Sequence, residues 1–371
     1  MNIVCEKENL IKAIISVAKI ASSKTTMPIL EGILIETKNG RLKLTTYDLE
    51  LGIEYITDCE IIEEGKSVIN AVMFSEIIRK LPDTQISIKT NENGLLVIEC
   101  EGSLYKLATM NPEEFPSLPE IIVEKSISIS QNVLKNIIKK TIFAVSLEET
   151  RPIFTGCLFE VKDNKMVVVA VDGFRLALKN AYLENQITDF KAVIPGKTLN
   201  EINRIIAFSD DFIKIGISKN QALFEMENCK VVTRLLDGEF LNYENVIPKD
   251  KATRVKINKE SLLEAFERTS LLSMSSTEKE KKYPVKLVIE LDKIIISCIS
   301  QTGDAKEEIF VETEGESLEI GFNPKYFLDA LKNIEDEEIY IDFGSNISPA
   351  VIRPIVSDSY TYMILPIKLK D

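Results

Sequence analysis

The 371-residue chain contains no histidine. That removes the commonest general base, the usual zinc ligand, and any Ser-His or Cys-His nucleophile. Catalysis by carboxylates alone stays open, so an enzyme is not the expected class. Gly94, Gly102 and Gly238 stand alone and build no GxGxxG or phosphate loop. Cys5, Cys59, Cys100, Cys157, Cys229 and Cys298 include no Cys-x-x-Cys pair and read as reduced, mostly buried thiols. No cofactor or metal set is offered. No stretch reaches the roughly 18 uninterrupted apolar residues of a membrane span. Residues 1–7 lack the basic-then-apolar order of a signal peptide, so the expected location is cytoplasmic.

What remains is an ordinary globular composition, 45% hydrophobic and 28% charged, with a net charge of −13. An acidic balance argues against general coating of nucleic acid by the outer surface. It leaves room for a locally basic face.

The chain also repeats itself. Pro28-Ile29-Leu30-Glu31-Gly32 recurs as Pro152-Ile153-Phe154-Thr155-Gly156, and Tyr47-Asp48 recurs as Val171-Asp172, both at a shift of 124 residues. Pro284 and Asp304 repeat the 20-residue spacing of Pro28 to Asp48 and of Pro152 to Asp172. A third of the chain is about 124 residues, an ordinary domain size. Three copies of one domain are therefore expected, over residues 1–121, 126–248 and 252–371.

Each copy reads alike. A short strand (2–5, 126–129, 254–257) leads into an amphipathic helix, with Leu10, Ile14 and Val17 on one face of the first. The third such helix reads as 262–269. Strands follow at 29–36 and 42–47, 153–160 and 166–171, 285–291 and 294–300, and Asn39-Gly40 is a hairpin signal. A second helix comes next (71–81, 197–208, 324–334), with Asn323-Pro324 fitting an N-cap and first helical position. More strands close each copy. The fold class is α+β, two helices per copy against a largely antiparallel sheet.

Three features admit a functional and a plainer reading. Lys12, Lys19, Lys80, Lys135, Lys139, Lys140, Lys325 and Lys332, with Arg79 and Arg204, sit on helices away from their cores. They either solvate those helices or line a track for sequence-independent phosphate contact. Asp172-Gly173-Phe174-Arg175 is either an acid–base pair or, the favoured reading, a strand-end turn in which Asp172 caps and Gly173 supplies the dihedral. The apolar tail from Tyr362 to Leu369 is either a docked terminus or one wall of a groove for partner peptides. Pro366 cannot donate to a ladder, so its strand must stop or lie at an edge there.

Taken together, these residues resemble the bacterial sliding clamps, the beta subunits of DNA polymerase III. The likeness runs along the whole chain: three repeats, Thr26-Met27-Pro28-Ile29-Leu30, Asp172-Gly173-Phe174-Arg175-Leu176-Ala177, Leu236-Asp237-Gly238 with Phe240, Gly321-Phe322-Asn323, and the Leu365-Pro366-Ile367-Lys368-Leu369 ending. The resemblance implies a head-to-tail homodimer closed as a six-domain ring around double-stranded DNA, with helices lining the hole. It implies a noncatalytic processivity factor, opened by a clamp loader, that tethers the replicative polymerase and other proteins carrying clamp-binding peptides. No membrane partner is implied.

Carried over residue by residue, the peptide pocket would comprise Phe154, Val171, Gly173, Phe174, Arg175 and Leu176, then Leu241 and Val246, then Ile347 and Met363, Ile364, Leu365, Pro366, Ile367, Lys368 and Leu369. DNA contacts would fall on Lys24, Arg151, Pro152, Lys197, Tyr283, Asn323 and Tyr326. The dimer seam would bring Tyr105 and Leu107 against Leu271 and Leu272 of a second copy. The chain departs from the family at Phe174, where histidine is common, at Leu241, where proline is, and at Asn245, where a basic residue is. Glu148, Val72 and Leu104 also replace neutral or basic residues of the expected track. The three lysines of residues 278–282 offset that change in part, although Glu278 and Glu280 cancel most of their charge. These departures keep open a clamp paralogue that binds partner peptides but loads poorly, or that replaces the main clamp in the presence of an inhibitor. A carboxylate-based or metal-dependent nucleic-acid enzyme is the third reading.

Overall fold

The computed structural model describes residues 1–21, 25–91, 93–183, 188–273 and 283–369. Seven α-helices are described: α1 (Lys7–Val17), α2 (Ala71–Lys80), α3 (Gln131–Thr141), α4 (Gly196–Ile205), α5 (Tyr243–Val246), α6 (Lys259–Ser273) and α7 (Pro324–Leu331). Every strand ladder among the described residues is antiparallel. No described helix is long and apolar enough to cross a membrane.

The chain divides into two compact units, Met1–Gln131 with Arg204–Leu235, and Asn132–Asn203 with Leu236–Asp371. In the first unit an eight-stranded sheet runs in the order Lys125–Ser130, Phe212–Ile217, Gln221–Glu225, Cys229–Arg234, Leu51–Thr57, Arg41–Tyr47, Gly32–Lys38, Lys66–Asn70. Strands of the first and second repeats thus share one sheet, joined where Cys229–Arg234 pairs with Leu51–Thr57. α1 packs on α2 and on the strands Arg41–Tyr47 and Leu51–Thr57. It buries Leu10, Ala13, Ile14 and Val17, the face its periodicity selects.

The second unit repeats the plan. Its nine-stranded sheet runs Phe190–Pro195, Gly156–Lys162, Lys165–Val171, Arg175–Tyr182, Tyr360–Ile364, Ala350–Pro354, Glu338–Phe343, Thr253–Asn258, Glu312–Gly315. Here the second and third repeats join where Arg175–Tyr182 pairs with Tyr360–Ile364. α6 and α7 pack together through Phe266 and Phe327, stacked at 4.7 Å.

Asn39 and Gly40 both take positive φ (52° and 75°), as a tight hairpin between twisted strands requires. Asn323 caps α7 by accepting from the Lys325 N–H at 3.1 Å, with Pro324 at the first helical position.

Two expectations need correction. Residues 29–31 and 153–155 are not strand. The Pro28–Glu31 and Pro152–Thr155 segments wind as 3₁₀ turns, and strand begins only at Gly32 and Gly156. Proline fixes a φ suited to a turn, and the Leu30 and Phe154 N–H groups bond back to the carbonyls of Met27 and Arg151. Helix α6 spans Lys259–Ser273 rather than 262–269, because Asn258 starts it early by accepting from the Ser261 N–H at 2.9 Å.

Candidate peptide and DNA interfaces

The strand Lys165–Val171 ends in a turn built by Asp172. One oxygen of its carboxylate accepts from the N–H groups of Phe174 (3.0 Å) and Arg175 (3.1 Å), and Gly173 holds φ at +92°. The first repeat makes the same turn: Asp48 accepts from Glu50 (3.0 Å) and Leu51 (2.7 Å), with Leu49 at φ +75°.

The turn aims its residues in different directions. Arg175 points inward and is buried, donating from Nε to Asp172 at 2.8 Å and from Nη1 to Asp329 of α7. Its guanidinium lies 4.7 Å from the Tyr326 ring centre. The pair reading is therefore structural: Arg175 is spent on tying the turn to α7. Phe174 points outward, 58% exposed, and stacks on Tyr326. Burial, with the charge of Asp172, raises the Tyr326 hydroxyl above its usual pKa. The Phe174 carbonyl accepts from the Leu365 N–H at 2.8 Å, which fixes where the C-terminal tail leaves its strand.

Behind the turn lies an apolar cluster. Phe154, Val171, Leu176, Leu241 and Met363, all expected pocket residues, meet there. Phe240 and Tyr243 join them. Tyr243 donates to Glu160 at 2.7 Å, and burial with that bond pushes its hydroxyl pKa up. Neither aromatic is among the pocket residues expected from sequence. The Leu236-Asp237-Gly238-x-Phe240 run was the available signal.

Other expected pocket residues stand apart from the cluster. Gly173 has open space around it. Val246, in α5, and Ile347 are exposed, the latter by 75%. Ile364 is buried within Tyr360–Ile364, paired with Arg175 and Ala350. The strand stops before Pro366, as that residue demands. Leu365 and Pro366 are half-buried and Lys368 is exposed. Ile367 bonds back to the Gly321 carbonyl at 2.8 Å. Leu369 lies over Gly321, where an added methyl would fall 2.6 Å from its side chain.

In the first unit the corresponding ground is already filled. Tyr47 stands at the position of Val171 and Gly52 at that of Leu176. The side chain of Leu118 lies so close over Gly52 that an added methyl would meet it at 2.2 Å. Leu118 belongs to the chain's own 112–120 segment, which lines a cavity of about 480 Å³ with Leu34, Lys43 and Thr45.

The expected DNA residues are dispersed. Lys24 and residues 278–282 lie outside the described residues. Arg151 and Pro152 are exposed at the start of a 3₁₀ turn, and Lys197 is exposed in the first turn of α4. Tyr283 is half-buried, its carbonyl accepting from the Ser273 hydroxyl. Asn323 is occupied as a helix cap, and Tyr326 faces the Asp172 turn.

The helix lysines do not all face water. Lys140 is buried, its ammonium 3.4 Å from Glu335 and 5.4 Å from the Tyr360 ring centre. Its long stem can cross apolar ground while the charge finds a partner. Lys139 also pairs with Glu335 (3.3 Å), and Lys332 pairs with Glu267 (2.9 Å). Partial burial pushes the Glu335 carboxyl up, but Lys140 and Lys139 outweigh it and hold it below the usual range.

The expected seam residues lie on one sheet edge and on a helix beside another. Ser103–Ala108 is the edge strand of a five-stranded sheet in the first unit, with Tyr105 exposed and Leu107 half-buried. In the second unit Gly303–Phe310 is the edge of a four-stranded sheet. Leu271 (67% exposed) and Leu272 (half-buried) lie near the end of α6, which packs on that edge strand. Among the described residues no cluster of three or more acidic or thiol groups is placed to hold a metal ion.

The sequence matches three family models in succession. They are the DNA polymerase III beta subunit N-terminal domain over residues 1–119, its central domain over 128–242, and its C-terminal domain over 244–368. It is 34% identical to the beta sliding clamp of Staphylococcus epidermidis over 99% of both chains. The crystal structure of the Bacillus subtilis DNA polymerase sliding clamp superposes with a TM-score of 0.94 at 34% identity, and a putative DNA polymerase III beta subunit from Eubacterium rectale with 0.93 at 37%. Both cover all of each chain.

Proposed function

Because this chain belongs to the DNA polymerase III beta subunit family, the sliding clamps, we propose that two copies close head to tail around duplex DNA and hold a polymerase there through a peptide pocket. The protein is a DNA polymerase processivity factor and a noncatalytic subunit. In this reading processivity comes from topology. Contacts with DNA are weak and sequence-independent, so the ring slides, yet a closed ring cannot fall off.

The observation that carries the peptide assignment is the apolar cluster of Phe154, Val171, Leu176, Leu241 and Met363, two of which flank the turn that bears the exposed Phe174. An apolar floor beside an exposed aromatic on a turn anchored to α7 suits a short peptide with apolar anchors. Tyr326 belongs with this pocket through its contact with Phe174, and Val246, Ile347 and the tail from Leu365 to Leu369 form its outer walls. With Phe174 and Leu241 at its rim, the pocket favours apolar anchors over polar ones.

Arg151, Pro152, Lys197 and Tyr283, with Lys24, supply the DNA contacts, and Tyr105 with Leu107 meets Leu271 with Leu272 of the second copy. Domain boundaries at 1–121, 126–248 and 252–371, opening by a clamp loader, and a cytoplasmic location complete the reading. The ion pairs that occupy Lys139, Lys140 and Lys332 favour weak DNA contact, and through it a second reading as a paralogue that binds peptides but loads poorly. A clamp with one fewer lysine on phosphate has a log–log salt slope shallower by about 0.9.

The test is removal of residues 365–371, which leaves the buried strand Tyr360–Ile364 whole. Polymerase stimulation is expected to vanish while the dimer persists in sedimentation. Unchanged stimulation would refute the pocket.

A further inference from the structure

Four of the six thiols are poorly placed for chemistry. Cys157 and Cys229 are buried, and burial pushes each pKa up to about 12. Burial raises that of Cys298 as well. Cys100 is buried beside the Thr84 hydroxyl at 3.3 Å. Thiols buried in this way meet no oxidant.

Cys5 and Cys59 differ, because the sheet brings them together. In the ladder between Asn2–Glu6 and Glu60–Glu63, Ile3 faces Ile61 and Val4 faces Glu60. Continuing that antiparallel register by one step sets Cys5 opposite Cys59. Directly opposed residues keep their Cβ atoms about 4.5–5.5 Å apart, within a small adjustment of the roughly 3.5–4.5 Å that a disulfide spans. The two thiols lie near enough to perturb each other electrostatically. Cys59 lies just before its strand and is partly open to solvent, whereas Cys5 is buried. An oxidant can therefore reach one sulfur, and the second waits behind it.

Exposure assigns the roles, because Cys59 is open to solvent in part and Cys5 is not. Asp58, the residue before Cys59, opposes a thiolate there by its charge. Asp58 is itself paired with Arg41 at 2.8 Å, which tempers its repulsion. Burial favours the thiol form of Cys5. Cys59 is the sulfur that attacks, and Cys5 is the one that resolves.

We propose that Cys5 and Cys59 form an oxidation site at which a hydroperoxide makes a disulfide, tying the N-terminal strand to the outermost strand of its sheet. The Cys59 thiolate attacks a peroxide oxygen and the O–O bond breaks. With hydrogen peroxide the departing hydroxide takes up a proton and leaves as water, and Cys59 becomes a sulfenic acid. The Cys5 sulfur then attacks the Cys59 sulfur, the S–O bond breaks, and a second water carries away the remaining proton. Two thiols lose two electrons, and one peroxide becomes two waters. Glu60–Glu63 is hydrogen-bonded on one side only, at the edge of the five-stranded sheet. The new bond would pin it and restrict the unfolded chain.

The experiment treats the reduced full-length protein with hydrogen peroxide, blocks remaining thiols with N-ethylmaleimide, and reads intact mass and peptide map. The expected product has two fewer blocked thiols, one cross-linked peptide pair containing Cys5 and Cys59, reversal by dithiothreitol, and a higher Tm than the reduced form. In Cys5→Ser the expected product is a dimedone-trapped sulfenic acid at Cys59. In Cys59→Ser no cross-link forms and Cys5 stays reduced. Oxidation of Cys59 to sulfinic acid while Cys5 remains a thiol would overturn the proposal. So would a first cross-link through any other pair, or no oxidation of Cys59 at all.

Discussion

The rings of Phe174 and Tyr326 lie almost parallel, 16° apart in plane, with their centres separated by 6.1 Å. The contact joins the Asp172 turn to α7 at the rim of the apolar cluster. An aromatic pair is worth about 0.5–1.5 kcal/mol beyond its buried area, and an exposed one is well placed to spend that on a ligand. Phe174→Ala and Tyr326→Ala should each weaken binding of a fluorescent clamp-binding peptide about tenfold, read by anisotropy. Phe174→Ala should leave Tm nearly unchanged. Full affinity in both variants would move the peptide to another surface.

Tyr362 carries a buried hydroxyl with no hydrogen-bond partner among the described residues. An unsatisfied buried hydroxyl costs roughly 1–3 kcal/mol, so Tyr362→Phe should be neutral or stabilising in urea unfolding. A clear loss of stability would show that the hydroxyl has a partner after all.

The same strand should make the protein sensitive to alkali. Burial, then the charge of Asp336, raises the Tyr362 pKa, and burial with a hydrogen bond to Asp336 raises that of Tyr360. A raised folded-state pKa gives stability that is whole below the unfolded value near 10 and is lost as pH climbs above it. Tm should therefore hold through pH 9 and fall steeply above about 10, less steeply in Tyr362→Phe. A flat profile to pH 11.5 would contradict the burial of these phenols.

Leu271 and Leu272 sit close to an edge strand that has no further strand beside it among the described residues. Replacing both with glutamate would bury unpaired charge in the proposed seam, at a cost of about 3–5 kcal/mol. Sedimentation velocity should then show monomers. A persisting dimer would place the seam elsewhere.

The repeat was legible because local chemistry enforces it. Asp48 and Asp172 cap equivalent turns, and Asn39-Gly40 closes its hairpin with both residues at positive φ. Nonlocal packing was not legible. Nothing in the spacing of Lys135, Lys139 and Lys140 reveals that Lys140 alone is buried, because its partners Glu335 and Tyr360 arrive some two hundred residues later. Nor does the sequence reveal that Tyr326 stacks on Phe174, which comes from another repeat. The 3₁₀ turns after Pro28 and Pro152 escape a sequence reading because apolar runs such as Ile29-Leu30 resemble strand, although the proline ahead of each supplies the cue.

The most direct test of a sliding clamp is retention on DNA with and without ends. The protein would be loaded onto a nicked circular duplex by a clamp loader, freed of loader and nucleotide, and followed before and after a single cut linearises the circle. Retention on the circle with rapid release after the cut is the predicted result. Equal loss from circle and linear DNA would contradict a closed ring and leave only surface binding.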